Sequence, residues 1–207
     1  MNKPLLVLST ALLLTSTSSA FAASSTNLTV KGLITPSACE PGLSSGGIVD
    51  HGKRSVNDLS PVSWTLLGKH TLQLTITCGA PTLIALQGVD NKRDSAMYDQ
   101  YGLGLVSGVK LGYYGLGFDN AMDGGAELTM LTSLDGVAWD IYVPGDAWSV
   151  SDLASFGDRS TGSWAPTPVQ NVTADLKIET LIAPTKGMNL NEEVPFEGSA
   201  TLEVKYL

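Results

Sequence analysis

Near its end the chain reads Gly198-Ser199-Ala200-Thr201-Leu202-Glu203-Val204-Lys205-Tyr206-Leu207. Apolar and polar side chains alternate along this stretch, as they do in a β-strand with one buried face. A shift of one residue would expose the apolar face, so the pattern also fixes the register of the strand. The predicted inward face carries four residues, Ala200, Leu202, Val204 and Tyr206.

Short stretches of β-rich sequence recur from Asn27 onward, separated by Gly, Pro, Asn and Asp. They predict strands over residues 28–35, 72–78, 82–89, 103–114, 127–132, 139–143 and 169–178, with a hairpin turn at Asp135-Gly136. Residues 118–125 are predicted to be a turn-rich link. Residues 144–168 have no clear period and are predicted to be a long loop, or a loop with a short helix near residues 151–156. Many short strands and few helical windows predict an all-β sandwich.

The chain has two cysteines, Cys39 and Cys78. In an exported protein such a pair is more typical of a disulfide than of a metal site, because zinc would need two further ligands at close spacing. His51 and His70 do not supply that spacing. We therefore predict a Cys39–Cys78 disulfide, no metal and no cofactor.

The N-terminus has the three parts of a secretory signal peptide. Lys3 supplies a positive charge, residues 5–14 are mostly apolar, and Ala20-Phe21-Ala22 has small residues at the two positions that a signal peptidase reads. The apolar stretch is shorter than the roughly 20 residues of a membrane-spanning helix. We predict cleavage after residue 22 and one domain over residues 23–207 without a transmembrane segment. The mature protein is then expected in the periplasm, at the cell surface or in a fimbrium.

The composition is acidic, with 20 Asp and Glu residues against 12 Lys and Arg and a formal net charge of −8. Removal of the signal peptide, whose one charged side chain is Lys3, changes −8 to −9. Nucleic-acid binding relies on clustered basic residues, whereas here they occur as isolated pairs such as Lys53-Arg54. The composition therefore argues against a nucleic-acid partner.

The sequence offers little for catalysis. Bonded cysteines leave no thiolate nucleophile, and the glycines of residues 102–117 lack the Lys-Ser/Thr of a phosphate-binding loop. Five carboxylates are candidates for glycoside hydrolysis, and the first three of them also for a calcium loop: Asp119, Asp123, Glu127, Asp135 and Asp140. Their spacing does not match an EF-hand, and Asp beside Gly or Asn is typical of turns. We predict that the protein is not an enzyme and has no catalytic residues.

Residues 144–168 also carry Trp148 and Trp164. Long irregular loops in compact domains are often functional. These two residues are therefore our candidates for a ligand platform, with a carbohydrate as the ligand. The alternative is that their rings fill the edge of the sandwich.

Three stretches together resemble a known family. They are Gly32-Leu33-Ile34-Thr35-Pro36-Ser37-Ala38-Cys39, the strand over residues 72–78 with the second cysteine, and the terminal strand with its penultimate Tyr206. In this layout the mature chain resembles the chaperone-usher pilins. Through Cys78-Gly79-Ala80-Pro81-Thr82 and Ile182-Ala183-Pro184 it is also similar to exported fimbria-like bacterial proteins catalogued as a domain of unknown function (DUF1120-type).

The resemblance implies an immunoglobulin-like sandwich that lacks one strand. A periplasmic chaperone's strand would fill the resulting groove first, and the N-terminal extension of a neighbouring fimbrial subunit would replace it. Such β-augmentation combines backbone hydrogen bonds with pockets for alternate side chains. Because the final strand borders the groove in pilins, the resemblance implies partner contact for Ala200, Leu202, Val204 and Tyr206, whereas the alternative is an ordinary core strand.

One feature departs from the pilin pattern. Subunits that donate a strand carry an alternating apolar extension, whereas here only small or polar residues, 23–26, precede Asn27. Three alternatives follow. Residues 28–34 act both as the first strand of the domain and as the donated strand, or the protein accepts a strand without donating one, or its sandwich is complete. We expect a structural or interaction subunit of a fimbria-like assembly, with a self-contained secreted binding module or a secreted hydrolase as alternatives.

Overall fold

The computed structural model describes residues 28–32 and 38–207. The chain divides into two compact units, residues 1–34 and residues 35–207. In the first unit, residues 28–32 are exposed and are not part of a strand, so the strand predicted from residue 28 is wrong over these five positions. Its remaining residues, 33–35, and the predicted signal peptide lie outside the described residues.

Among the described residues of the second unit, the regular secondary structure is almost entirely β-strand. Short 3₁₀ turns occur at Ser44–Gly47, Val56–Asp58 and Arg93–Ser95. Among the described residues, no helix is long and apolar enough to cross a membrane. The strands are β1 (Cys39–Leu43), β2 (Thr65–Thr82), β3 (Ile84–Asp90), β4 (Tyr101–Gly102), β5 (Leu105–Val106), β6 (Val109–Lys110), β7 (Gly112–Asp123), β8 (Ala126–Glu127), β9 (Thr129–Ser133), β10 (Asp140–Ile141), β11 (Leu153–Asp158), β12 (Ala165–Pro166), β13 (Val169–Ile182) and β14 (Ala200–Tyr206).

The strands form two main antiparallel sheets. The first sheet has the order β1-β2-β13-β7-β4, with β8 paired to β7, and the second has the order β10-β9-β11-β3-β14, with β12 paired to β11. Strands β5 and β6 form a separate hairpin. The all-β sandwich predicted from the sequence is confirmed.

The core lies between the two sheets. Every second residue over 72–78 of β2 and over 172–178 of β13 points into it. Leu74 of β2 and Leu176 of β13 thus meet Leu86 of β3 and Phe156 of β11 in one cluster. Full burial of such a side chain stabilises the fold by about 1.5–3 kcal/mol. This two-residue alternation is the reason the sequence specifies strands.

The predicted disulfide is confirmed. Cys39 and Cys78 face each other in the β1–β2 pair, with Cα atoms 4.0 Å apart and sulfur atoms 2.05 Å apart. The disulfide fastens β1, the edge strand of the first sheet, to the long strand β2.

Most predicted strands occur, within longer or shifted bounds. The terminal strand is β14, residues 72–78 lie inside β2, and residues 169–178 lie inside β13. The Asp135-Gly136 turn connects β9 and β10, with Gly136 in the left-handed region at φ 73°. These stretches have the clearest alternation of apolar and polar residues.

Three further expectations are wrong. Residues 103–114 are not one strand but the β5–β6 hairpin followed by β7, and residues 118–125 continue β7 instead of forming a link. Residues 153–158 form strand β11, where a long loop or a loop with a short helix was predicted. There the Ser155 hydroxyl donates a buried hydrogen bond to the Ile84 carbonyl of β3 at 2.6 Å, so a polar residue is stabilised inside the sandwich by a distant partner.

Candidate functional site

Strand β14 has one unpaired edge. It pairs with β3 in antiparallel register, from Ala200 opposite Asp90 to Tyr206 opposite Ile84, and no other strand of the described ranges pairs with it. Across the sandwich, β1 is the outermost strand of the first sheet. The free edge of β14 therefore offers backbone N–H and C=O groups to an additional strand.

A cavity of about 340 Å³ opens beside this edge. Its floor is the inner face of the first sheet, and its walls are β14 on one side and the chain from Leu43 to His51 on the other. The cavity lies directly over the core, because its floor residues are almost all buried among core side chains. The floor consists of Leu72, Tyr114, Leu116, Leu176, Ile178 and Thr180, and the walls include Leu43, Val49, Ala200 and Leu202.

The cavity is open because β1 is short. After Leu43 the chain turns through residues 44–47, where Ser45, Gly46 and Gly47 all have positive φ values of 54°, 62° and 74°. Glycine adopts this conformation without a steric cost, which makes it suited to a sharp change of direction. Beyond this turn, no described strand extends β1 along the floor.

A second cavity of about 780 Å³ adjoins the first. It lies between residues 49–59 and residues 190–196. Its floor is formed by Leu67 of β2, Ile182 of β13 and Leu111, which immediately precedes β7. Most of its lining is apolar. At its rim the Lys53 ammonium lies 2.8 Å from the Glu193 carboxylate, with both side chains about nine-tenths exposed, so this ion pair contributes little to stability.

His51 lies where the two cavities meet. Val49, His51 and Phe196 line both. The His51 Nε2 atom is 3.0 Å from the Thr180 hydroxyl, and the His51 ring contacts the His70 ring edge-on at 4.9 Å between centroids. The Nδ1 atom of His51 is buried without a hydrogen-bond partner. Burial lowers the pKa of His51, and the nearby His70 and Arg54 lower it further against the opposing effect of Asp50.

The four residues expected to contact a partner strand all lie on β14. Ala200 and Leu202 line the first cavity. Val204 is half-buried and packs against the main core. Tyr206 is 46% exposed, and its hydroxyl accepts a hydrogen bond from the backbone N–H of Cys39 at 2.9 Å.

The two tryptophans proposed as a ligand platform do not share an exposed surface. Trp148 is completely buried, packs on Phe118 at 4.9 Å between ring centroids, and donates its indole N–H to the Asp152 carbonyl at 3.1 Å. Trp164 is half-buried against a smaller cluster that includes Leu131 and Trp139. The platform hypothesis is therefore corrected, because burial makes Trp148 a core residue.

Two of the five candidate carboxylates, Asp123 and Asp135, bond to backbone N–H groups at turns or strand ends. Asp123 accepts hydrogen bonds from the backbone N–H groups of Gln170 and Asn171 at 3.2 and 2.7 Å. Asp135 accepts them from Val137 and Ala138 at 2.8 and 2.9 Å, which lowers the pKa of its carboxyl. No group of three or more potential metal ligands occurs in residues 28–32 and 38–207.

Residues 42–46 match the Gly-x-Ser-x-Gly pattern of a hydrolase nucleophile. In α/β-hydrolases that serine stands between a strand and a helix. Here Ser44 begins a 3₁₀ turn, and its hydroxyl accepts the backbone N–H of Gln73 at 2.8 Å. The local structure is a turn at a sheet edge.

Sequence reasoning missed an aromatic cluster formed by Trp64, Tyr98 and Tyr113. The ring centroids lie 5.2–5.8 Å apart, and the rings meet edge to face. Tyr98 is 69% exposed and has a positive φ of 53°. These residues are far apart in the sequence, and no local pattern indicates that their rings meet in the folded protein.

Comparison with known proteins identifies relatives along most of the chain. The family model described as "Protein of unknown function (DUF1120)" matches residues 28–120. Two proteins of Escherichia coli (strain K12) are similar. "Protein GltF" is 29% identical over 226 aligned residues, which cover 88% of each chain, and "Uncharacterized protein YhcF" is 30% identical over 227, which cover 91% of this chain and 93% of the relative.

Proposed function

The chain belongs to the family described as "Protein of unknown function (DUF1120)", and we propose that it is a non-enzymatic, exported, fimbria-like subunit whose groove accepts a β-strand from a partner. The observation that carries the proposal is the free edge of β14 beside an open, apolar cavity. A partner strand would hydrogen-bond to β14 and insert alternate side chains over Leu72 and Ile178.

Completion of the sandwich would stabilise the protein in two ways. Backbone groups on the β14 edge would exchange hydrogen bonds to water for hydrogen bonds to the guest strand. Apolar side chains of the guest would be removed from water, and each buried side chain would contribute on the order of 1.5–3 kcal/mol. A chain with this cavity unfilled is expected to be less stable and more prone to aggregate. The proposed partners, a periplasmic pilus-type chaperone and neighbouring subunits, would supply the strand that fills the cavity.

The chain also has a candidate donor segment. Leu28 and Val30 are 88% and 86% exposed, and in an extended chain they point to the same side. This supports the option in which residues 28–34 enter the groove of a neighbouring copy. Exported and periplasmic assembly is consistent with the signal peptide predicted from the sequence.

The test is expression of the mature chain from Ala23 in the periplasm, with and without a pilus-type chaperone. We expect degradation or aggregation of the protein alone and recovery of a one-to-one complex with the chaperone. A stable monomer that does not bind the chaperone would contradict the proposal.

A pair of variants localises the interaction. Ala200→Trp fills the first cavity from its wall, and we expect it to abolish complex formation. Thr201→Trp places the same side chain at the adjacent exposed position and should leave the complex intact. Equal behaviour of the two variants would argue against strand insertion at this edge.

The aromatic cluster supports a second candidate function, a secreted module that binds neutral sugars. Exposed tyrosine and tryptophan rings stack well on pyranose faces, and Tyr98 presents most of its surface to solvent. Titration calorimetry with cellohexaose and maltohexaose tests this function. We expect Tyr98→Ala to abolish any binding and Tyr98→Phe to retain it, whereas no heat with either sugar would remove this candidate.

A further inference from the structure

We infer that the second cavity is an anchoring pocket for a bulky apolar side chain of the guest strand, and that His51 sets the register of that strand. This inference rests on the proposed acceptance of a strand at β14. It adds that the guest extends past the β14 edge and is recognised by a specific pattern of side chains.

The two cavities lie end to end along the same pair of segments. Residues 43–51 line the first cavity and residues 49–59 the second, while on the other side residues 196–202 line the first and residues 190–196 the second. The floor is also continuous. Along the inner face of β13, Leu176, Ile178 and Thr180 lie under the first cavity and Ile182 lies under the second.

The length of this trough follows from strand geometry. A strand rises about 3.3 Å per residue, so the six steps from Leu176 to Ile182 span roughly 20 Å. An extended guest of about seven residues covers that distance and places every second side chain over the floor. Four guest side chains then meet the positions of Leu176, Ile178, Thr180 and Ile182.

The third of these positions is polar. Thr180 is buried, and the Nδ1 atom of His51 is buried without a partner although its Nε2 atom contacts the Thr180 hydroxyl. A buried polar atom without a hydrogen bond destabilises the structure that contains it. Thr180 and His51 both line the first cavity, so a guest serine or threonine at this position would place its hydroxyl beside these polar side chains, whereas a purely apolar side chain would add no polar partner.

The fourth position opens into the larger cavity. Its volume of about 780 Å³ exceeds that of any single side chain, and its interior is formed by Leu59, Leu67, Leu111, Ile182, Leu190 and Phe196. Five charged residues also line the cavity: Asp50, Lys53, Arg54, Glu192 and Glu193. Of these, Lys53 and Glu193 pair with each other at the rim. The chemistry therefore favours Phe, Trp or Leu on the guest, and the expected occupant is an extended protein segment with the order apolar, apolar, hydroxyl-bearing, bulky apolar at alternate positions.

Synthetic peptides test the inference on the full mature protein. The long probe is Val-Thr-Val-Thr-Ser-Thr-Phe, made in both chain directions, and the short probe is Val-Thr-Val-Thr. Two controls replace the terminal Phe or the Ser of the long probe by Ala. Each peptide carries a fluorescent label, and binding is measured by fluorescence anisotropy.

We expect one direction of the long probe to bind at least tenfold more tightly than its Phe-to-Ala control, because burial of an aromatic side chain changes affinity by about that factor or more. Val56→Asp introduces a charge at an exposed position of the second cavity and should remove this advantage. Val62→Asp places the same charge at an exposed position outside both cavities and should preserve it. The advantage of Ser over Ala should disappear in His51→Leu, with thermal melting to verify that each variant is folded.

The outcomes separate the two proposals. If the short and long probes bind with equal affinity, the anchoring pocket is overturned while strand acceptance stands. If Phe matters and Ser does not, the role of His51 is overturned. If no peptide binds in either direction and the chaperone is also ignored, the proposed function itself fails, and this inference fails with it.

Discussion

The hydroxyl of Tyr206 lies 2.9 Å from the backbone nitrogen of Cys39 and accepts its hydrogen bond. This contact joins the last strand of the second sheet to the first strand of the first sheet, next to the Cys39–Cys78 disulfide. One end of the gap between β1 and β14 is therefore closed, while the other end opens into the two cavities.

Removal of this hydroxyl should weaken the closed end. We expect Tyr206→Phe to lower the free energy of unfolding by about 0.5–1.5 kcal/mol, the usual net contribution of one hydrogen bond. Urea denaturation measures the change. Tyr98→Phe removes a hydroxyl from an exposed loop and should leave stability unchanged, so an equal loss in both variants would contradict this explanation.

Loss of the disulfide should have a larger effect. The bridge joins residues 39 positions apart, and closure of such a loop stabilises a fold by about 4 kcal/mol in the chain-entropy model. We expect the double variant Cys39→Ala/Cys78→Ala to lose stability on this scale in urea denaturation. Wild-type protein kept reduced should behave like the variant, and a fully reduced protein as stable as the oxidised one would contradict the prediction.

The buried tryptophan should matter more than the half-buried one. Trp148 is enclosed by the main core and donates a hydrogen bond to the Asp152 carbonyl, so Trp148→Ala should cost about 3–5 kcal/mol. Trp164 packs on a smaller cluster and is only half-buried, so Trp164→Ala should cost clearly less. Urea denaturation of both variants compares them, and the reverse order would mean that the core is assigned wrongly.

The sequence predicted the elements whose signal is local. Strand β14 and the inward-facing stretch of β2 alternate apolar and polar residues without interruption, and two cysteines allow only one pairing. The burial of Trp148 was not visible, because a tryptophan among Ser, Gly and Pro gives no periodic signal. Its position depends on the distant residue Phe118 of β7.

The candidate site was predictable only in part. The alternation placed Ala200 and Leu202 on the inward face of the terminal strand, and both line the first cavity. His51 stands in a loop between Asp50 and Gly52, where a lone histidine is usually a surface residue. Its position between two cavities depends on β13 and on the segment with Phe196, neither of which is near it in the sequence.

The stability of the protein should fall with His51 protonation. The pKa of His51 is lowered from the ordinary value of 6.5, mainly by burial and then by His70 and Arg54, with Asp50 acting in the opposite direction. As the pH falls below 6.5, the unfolded chain takes up a proton at this position before the folded chain does. The free energy of unfolding therefore decreases as the pH falls through this range. The stability that the neutral His51 side chain contributes is present in full above pH 6.5. It is lost as the pH falls through the lower pKa of the folded state.

Two measurements check this dependence. The imidazole signal of His51, followed by NMR, should titrate below pH 6.5, and urea denaturation at pH 7.5 and 5.5 should give a smaller difference for His51→Gln than for the wild type. His51→Gln keeps a hydrogen-bonding side chain beside Thr180 while it removes the titration, which separates protonation from the loss of the contact. The prediction is contradicted if His51 titrates at or above pH 6.5, or if the two proteins lose equal stability on acidification. Either result would mean that burial at the junction of the cavities does not disfavour the protonated form of His51.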